Sequence, residues 1–337
     1  MKKYILAFVF IVFLLVPFYP YQETYYKDGG TKLYTSYLYQ YIKFNTLEGC
    51  TEAVLSWYPQ NNKSYDDYWQ QVCKKNHPQA TKVTYSNLVD KKSQDFVKNV
   101  LAKYEVAEKN IEDFFYYVDY FNKAVKNEGL VSSDFVELKN TSRDGGYPLY
   151  LEKLEQYNLD FMGTNCRISS FSLLRDLIDV KDENPVTEED RVLMFDNGAV
   201  ENFPKPIFSD TDKKKFVAFF RGIPTPRTKD QAVHVKTMKD YWKKHQISFK
   251  TPKGMSLVML INHDDLDDVL FVGHVGVLLK SDGKYLFLEK LSFDLPYQAI
   301  LFNKKSQVKD YFMKKYGDMV SEETAKPFLM ENDELFD

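Results

Sequence analysis

Between Lys91 and Asn127 the apolar positions Phe96, Val100, Leu101, Ile111, Phe114, Phe115, Val118 and Phe121 recur at helical spacing and predict two helices packed on a core. The stretch "DFMGTNCRISSFSLLRDLID" (160–179) repeats that spacing at Phe171, Leu174 and Ile178. Gly163-Thr164-Asn165 just ahead supplies turn and capping chemistry, so a helix is predicted to start at Cys166. Two more helices are expected, at 212–220 and 229–245. The pattern then changes: "MSLVMLIN" (255–262) reads as a strand, and "DDVLFVGHVGVLLKSDGKYLFLEKLSF" (267–293) as two apolar runs around a turn. Helices ahead of a mostly antiparallel sheet make the fold class α+β. Residues 23–82, rich in Tyr, Asn and Lys, read as a stalk or small accessory helical module. Residues 127–148, "NEGLVSSDFVELKNTSRDGGYP", read as a linker or mobile loop, and no internal repeat is visible.

The 267–293 hairpin carries chemistry. Asp282-Gly283 is a strong type I′ signal, because both central positions of that turn need positive φ. A two-residue loop places Gly276 opposite Glu289, and alternation then puts His274, Gly276, Leu278, Phe287, Glu289 and Leu291 on one face. Val275, Val277, Leu279, Leu286 and Leu288 form the core face, with Lys290 at its far end. His274 and Glu289 become diagonal neighbours roughly 7 Å apart at the backbone, with Gly276 leaving the space between them free. A histidine held by a carboxylate is a general base with its tautomer fixed; the bland alternative is a structural hydrogen bond inside a sheet.

A nucleophile decides between these readings. Cys166 falls in the first turn of its predicted helix, where the dipole and unpaired N–H groups favour a thiolate and can receive an oxyanion. The Cys166 N–H is one oxyanion donor and Asn165 a candidate second. Taken alone, a cysteine such as Cys166 is more often a small buried hydrophobe. Together with the hairpin pair it predicts a Cys166-His274-Glu289 catalytic constellation.

Cysteine at a helix start, histidine opening a strand about a hundred residues on, and a polar residue on the next strand is the order of papain-like hydrolases, especially the CHAP and NlpC-type cell-wall amidases. The segments "YSNLVDKKSQDFV", "TNCRISSF", "FVGHVGVL", "EKLSFDLPYQAI" and "KPFLMEND" more closely resemble an exported Gram-positive bacterial family catalogued as domain of unknown function 4300, from about Tyr85 to the C-terminus. That family has no assigned reaction, so cysteine-hydrolase chemistry on Cys166, His274 and Glu289 is implied only by the papain-like pattern. The pattern implies a papain-like core and an amide bond in a peptidoglycan peptide or a protein as substrate. CHAP enzymes carry Asn two positions after the Glu; here that position is Leu291, which leaves Glu289 to orient the imidazole alone. A non-catalytic cell-surface binding protein on the same scaffold is the alternative.

The chain opens "MKKYILAFVFIVFLLVPFYPYQ", a basic start and an apolar run that read as a signal peptide or an uncleaved membrane anchor over residues 1–22. Residues 23–82 and 83–337 follow as the accessory segment and the papain-like domain, both expected outside the cytoplasm. An oxidising exterior permits a Cys50–Cys73 disulfide, leaving Cys166 as the odd thiol; two further free thiols are the other arrangement. No zinc spacing, HExxH, phosphate loop or dinucleotide fingerprint occurs, so no metal and no cofactor is called for. In "HDDLDD", His263 and its aspartates read as a solvated acidic turn rather than a Ca²⁺ loop. His234 reads as a polar position on an amphipathic helix, and His77 and His245 have no usable context. With 44% hydrophobic and 16% aromatic residues, and a formal net charge of -3, the chain can bury a large core and offers no basic field for nucleic acid. Oligomeric state is not legible.

Overall fold

The computed structural model describes residues 16–26, 30–46, 50–73, 83–142, 144–161, 163–181 and 191–336. Most of the expected export segment, and His77, lie outside the described residues. Among the described residues no helix is long and apolar enough to cross a membrane. Contacts divide the chain into a small unit, to Val83 and including Lys139–Thr141, and a large unit, Thr84–Leu138 and Ser142–Asp337.

The small unit is not the helical module expected. It is a four-stranded antiparallel sheet in sequential order: β1 (Gln22–Tyr25), β2 (Lys32–Thr35), β3 (Tyr39–Lys43) and β4 (Ala53–Trp57). The reason is a period-two pattern hidden in polar composition. In "KLYTSYLYQYIK" Leu33 and Ile42 turn inward, while tyrosines, which favour strands, take the other face. One turn of helix, α1 (Tyr65–Tyr68), continues as a π-helical turn Trp69–Cys73. Tyr68 and Cys73 bury against Leu33, Ile42, Phe44 and Cys50. Cys50 and Cys73 are disulfide-bonded, with Cα atoms 5.7 Å apart.

In the large unit the strands β5 (Thr84–Ser86) and β6 (Val136–Glu137), and the helices α2 (Lys91–Lys103), α3 (Glu108–Ala124), α4 (Leu151–Tyr157) and α5 (Cys166–Leu174), come first. Then follow β7 (Ile178–Val180), α6 (Met194–Glu201), α7 (Asp210–Phe220), β8 (Ile223–Pro224), α8 (Gln231–Lys244) and β9 (Ile247–Phe249). The chain ends with β10 (Met255–Asp264), β11 (Val269–Ser281), β12 (Lys284–Ser292), β13 (Leu295–Phe302), α9 (Ser306–Tyr316), β14 (Phe328–Glu331) and β15 (Glu334–Leu335). Nine strands form one antiparallel sheet in the order β15-β14-β10-β11-β12-β13-β5-β6, with β8 pairing β11. The α+β class therefore holds.

Both faces of the central hairpin are buried. Val275, Val277, Leu279, Leu286 and Leu288 join Phe114, Phe121, Ile168 and Phe171 of α3 and α5 in one cluster. The other face is covered by α9, whose Phe312 and Tyr311 rings lie 5.4 and 5.7 Å from Phe287 and Phe302. Each fully buried Leu or Phe contributes about 1.5–3 kcal/mol, so this double packing fixes the sheet's position firmly.

Several local expectations change. The predicted helix through Ile178 stops at Leu174, and Ile178 pairs with Phe249 in the β7–β9 ladder. The apolar period simply continued through a turn. Residues 127–138 are irregular apart from β6 but anchored: the Val131 N–H donates to Asn87 Oδ1 (2.9 Å), the Asp134 N–H to Asp90 Oδ2 (2.9 Å), and Leu130 is buried. His234 is fully buried, its Nδ1 2.8 Å from Thr225 Oγ1 and its Nε2 2.8 Å from the Thr228 carbonyl. His263 belongs to β10 itself and is buried against His234, so only Asp265–Asp268 form the turn.

Candidate active site

Cys166 is the first residue of α5 because of what precedes it. Asn165 is extended (φ -112°, ψ -171°), and its Oδ1 accepts from the Ile168 N–H at 3.0 Å, an N-cap worth about 1 kcal/mol. Gly163 sits in the left-handed region (φ 126°), and a Cβ there would meet the Phe293 carbonyl oxygen at 3.1 Å. Backbone conformation and close approach both require glycine at this position. The Asn165 Nδ2 donates to Asp196 Oδ1 at 2.7 Å. Its Oδ1 caps the helix and one Nδ2 hydrogen holds Asp196, so Asn165 serves as helix cap and anchor.

Asp196 holds more than Asn165. Arg167 Nε and Nη2 donate to its two oxygens at 2.8 and 2.6 Å, and Arg167 Nη1 donates to the Val272 carbonyl at 2.9 Å. One fully buried carboxylate on α6 thus grips both neighbours of Cys166, and Arg167 carries the brace onto β11 two residues before His274.

The hairpin has the expected register. Ser281 pairs with Lys284 and Gly276 with Glu289, and Asp282 and Gly283 have φ of 49° and 80°. β10 adds a bulge: Leu260 pairs with His274 but Ile261 with Val272, leaving Gly273 as the extra residue. Gly276 does not leave an open gap, since a Cβ there would meet the Phe287 ring at 2.2 Å and the Leu288 carbonyl oxygen at 2.6 Å. The ring of Phe287 fills it.

Across this surface His274 Nε2 lies 2.5 Å from Glu289 Oε2. The His274 ring also acts on the Cys166 thiol, and with Nε2 on Glu289 it is Nδ1 that is left for the sulfur. Tyr316 and Phe312 flank the imidazole at 4.8 and 5.7 Å between ring centres. Exposure is 6% for Cys166, 2% for His274 and 1% for Glu289. Cys166 is free of any disulfide.

Electrostatics favour charge separation. Burial pushes the Cys166 thiol up, but His274 and Arg167 outweigh it and hold the thiol below its usual range. Burial pushes His274 down, yet Cys166 and Glu289 together raise it to about 9. Glu289, raised by burial, is held below the usual carboxylate range by His274, Lys315 and Tyr311. Opposite charges in contact thus overcome desolvation at all three positions.

Sequence reasoning missed the groups behind the triad. Glu289 Oε1 accepts from the Tyr311 hydroxyl, and Lys315 Nζ donates to the Tyr311 hydroxyl oxygen at 2.9 Å. Tyr311 and Lys315 share one face of α9, one turn apart, in "SQVKDYFMKKY", and the apolar spacing of Val308, Tyr311, Phe312 and Tyr316 was the available signal. Lys290, placed at the end of the core face, is fully buried. Its Nζ donates to the carbonyls of Ser292 (2.7 Å), Phe293 (3.2 Å) and Leu295, and lies 4.0 Å from the Phe121 ring centre. It tightens the β12–β13 turn that packs against Gly163.

Among the described residues no cluster of three or more His, Cys, Asp or Glu side chains is arranged to hold a metal ion. Residues 84–336 match the family model described as "Domain of unknown function (DUF4300)". No curated protein and no solved structure matches the chain.

Proposed function

Because the chain belongs to the DUF4300 family, whose model spans residues 84–336 and so the whole site, we propose that it is an exported cysteine hydrolase cleaving an amide bond. The observation that carries this reading is the buried chain Cys166–His274–Glu289, with a thiol, an imidazole and a carboxylate each shifted toward its charged form. The order of the three, helix start then strand then next strand, is that of papain-like hydrolases, which supports a papain-like core.

In this mechanism the Cys166 thiolate attacks the amide carbon, and the Cys166 N–H at the helix start donates to the oxyanion. The C–N bond breaks as His274 Nδ1 gives its proton to the leaving amine, leaving a thioester on Cys166. His274 then takes a proton from water, whose oxygen attacks the thioester; the acid leaves and the thiolate–imidazolium pair is restored. Glu289 keeps Nε2 protonated and the ring aimed throughout. The substrate is a peptidoglycan peptide or a protein, and the place of action is outside the cytoplasm. The buried Cys50–Cys73 disulfide and the apolar N-terminal run support that location.

The 6% exposure of Cys166 favours a second reading, a surface protein that binds a wall component on the same scaffold and performs no chemistry. Alkylation separates the two. At mild acidity a small haloacetamide should modify Cys166 faster than a free model thiol, which is then almost wholly protonated. A rate equal to or below that of the model thiol favours the binding protein.

A further inference from the structure

Several ionisable groups surround Cys166, and burial pushes one of them, Lys290, well down. From α5 come Cys166 and Arg167, from α6 Asp196, from β11 His274, and from β12 Glu289 and Lys290. The β12–β13 turn contributes Asp294 facing Lys290, and α9 contributes Tyr311, Lys315 and Tyr316. Arg167 closes on Asp196, and a thiolate at Cys166 closes on an imidazolium at His274. That leaves Glu289, which faces the protonated ring but is needed in addition to the thiolate.

We propose that Lys315, acting through Tyr311, is a positioning residue for this site: its ammonium balances the Glu289 carboxylate and thereby lets Cys166 and His274 coexist as thiolate and imidazolium. The inference rests on the cysteine-hydrolase reading. Its geometry is directional. The Tyr311 hydroxyl has one hydrogen, which goes to Glu289 Oε1, since the alternative acceptor, Gln298 Oε1, is 3.4 Å away. The 2.9 Å contact between Lys315 Nζ and the Tyr311 oxygen therefore has Lys315 as donor. Lys315 is only 4% exposed, and its Nζ lies 5.0 Å from the Tyr311 ring centre and 6.0 Å from that of Tyr316. Burial pushes Lys315 down, and Glu289 and Asp144, from the segment before α4, are the carboxylates that oppose this. The remaining wall is neutral: Gln298 Nε2 donates to the Tyr147 hydroxyl at 2.8 Å, which bonds Asn87 Oδ1 at 3.1 Å.

Without the ammonium, the site would hold two anions against one imidazolium in a medium that screens poorly. Either Glu289 takes a proton and releases the ring, or Cys166 keeps its own. Both outcomes reduce the thiolate at mild acidity.

The test is a pH titration of thiolate ultraviolet absorbance in the full chain, read as the difference from Cys166→Ala on the same background. In Lys315→Met the acid limb should move up by about one pH unit, a roughly tenfold loss of thiolate below the limb, the order expected for removing one nearby buried charge. Lys315→Arg, which keeps the charge, should titrate near the native chain. A folded Lys315→Met with the native limb overturns the role of Lys315 and leaves the hydrolase reading standing. Equal shifts in Lys315→Met and Lys315→Arg also overturn it, since packing would then be the cause. A native chain that titrates like an ordinary thiol overturns both. If Lys315→Met does not fold, Tyr311→Phe takes its place: a limb shifted upward supports the relay, and an unmoved one overturns it.

Discussion

His274 and Glu289 meet at 2.5 Å although they are not cross-strand partners: Glu289 pairs with Gly276, and His274 reaches it diagonally over the Phe287 ring. The contact therefore depends on register, and position 276 is held to glycine because a Cβ there would meet the Phe287 ring at 2.2 Å.

Glu289→Gln tests the contact. The amide keeps the shape but removes the charge and presents N–H to one of two donors, His274 or Tyr311. Turnover of a substrate, once one is known, should fall by about ten- to ten-thousand-fold, the range between weak orienting groups and a triad carboxylate. Until then, haloacetamide labelling of Cys166 at mild acidity should slow at least about tenfold. Asp294→Asn should label at the native rate, because Asp294 bonds Ser292 Oγ in the turn and lies off the His274 face. The reverse pattern would mean that the carboxylate assignment is wrong.

The ion pair should leave a distinctive mark on stability. His274, raised to about 9, contributes stability that is full below its unfolded value of about 6.5 and is lost as pH rises through 9. Cys166, depressed, contributes stability that is full above its unfolded value of about 8.5 and is lost as pH falls through its folded value. Between about 6.5 and 8.5 the folded and unfolded pairs bind the same number of protons, so the slopes cancel. Denaturant titrations of the native chain should show no proton uptake or release by this pair across that window and a loss of its contribution at lower pH. A pair contribution that slopes through the window would mean that the folded pair holds two protons or none, which would overturn the ion pair.

Asp196→Asn should destabilise the large unit by about 3 kcal/mol, the usual cost of leaving a buried guanidinium without its carboxylate. It should also slow Cys166 labelling, since Asn165 and Arg167 both lose their anchor. Arg167→Met combined with Asp196→Leu should cost less than the single change, because no charge is then stranded. Denaturant midpoints of the three chains decide this.

Replacing Cys50 and Cys73 together by serine should remove about 3 kcal/mol from the small unit, the scale set by closing a loop of this length. Limited proteolysis read by mass spectrometry should find new cleavages in residues 50–73. The large unit's thermal transition should stay where it was.

Why the hairpin was legible and its backing was not follows from the range of the interactions. Asp282-Gly283 fixes register locally, so Glu289 could be placed opposite Gly276 from adjacent residues alone. Asn165 and Cys166 were placed by capping chemistry of equally short range, but the partner of the Asn165 amide, Asp196, is thirty-one residues away. Lys315 sits in a run, "MKKYG", that reads as solvated, and only the docking of α9 onto the Phe287 face buries it. Buried lysines such as Lys290 and Lys315 contradict the usual link between charge and exposure, so composition points away from them. The small unit failed differently: its strands alternate Leu and Ile with tyrosine, and a polar count masks that alternation.

The bulge at Gly273 divides β11 into two stretches that are out of step with each other. Val272 and Leu270 face the α3–α5 side, whereas His274, two positions along, faces α9, which unbroken alternation would forbid. The outer stretch is thus a separate reading frame. A residue inserted in the Asp265–Asp268 turn changes the outer hairpin alone, while one inserted between His274 and Glu289 would rotate the carboxylate to the opposite side of the sheet. Length variation, or an engineered tag, can be accommodated at the first place and is barred from the second.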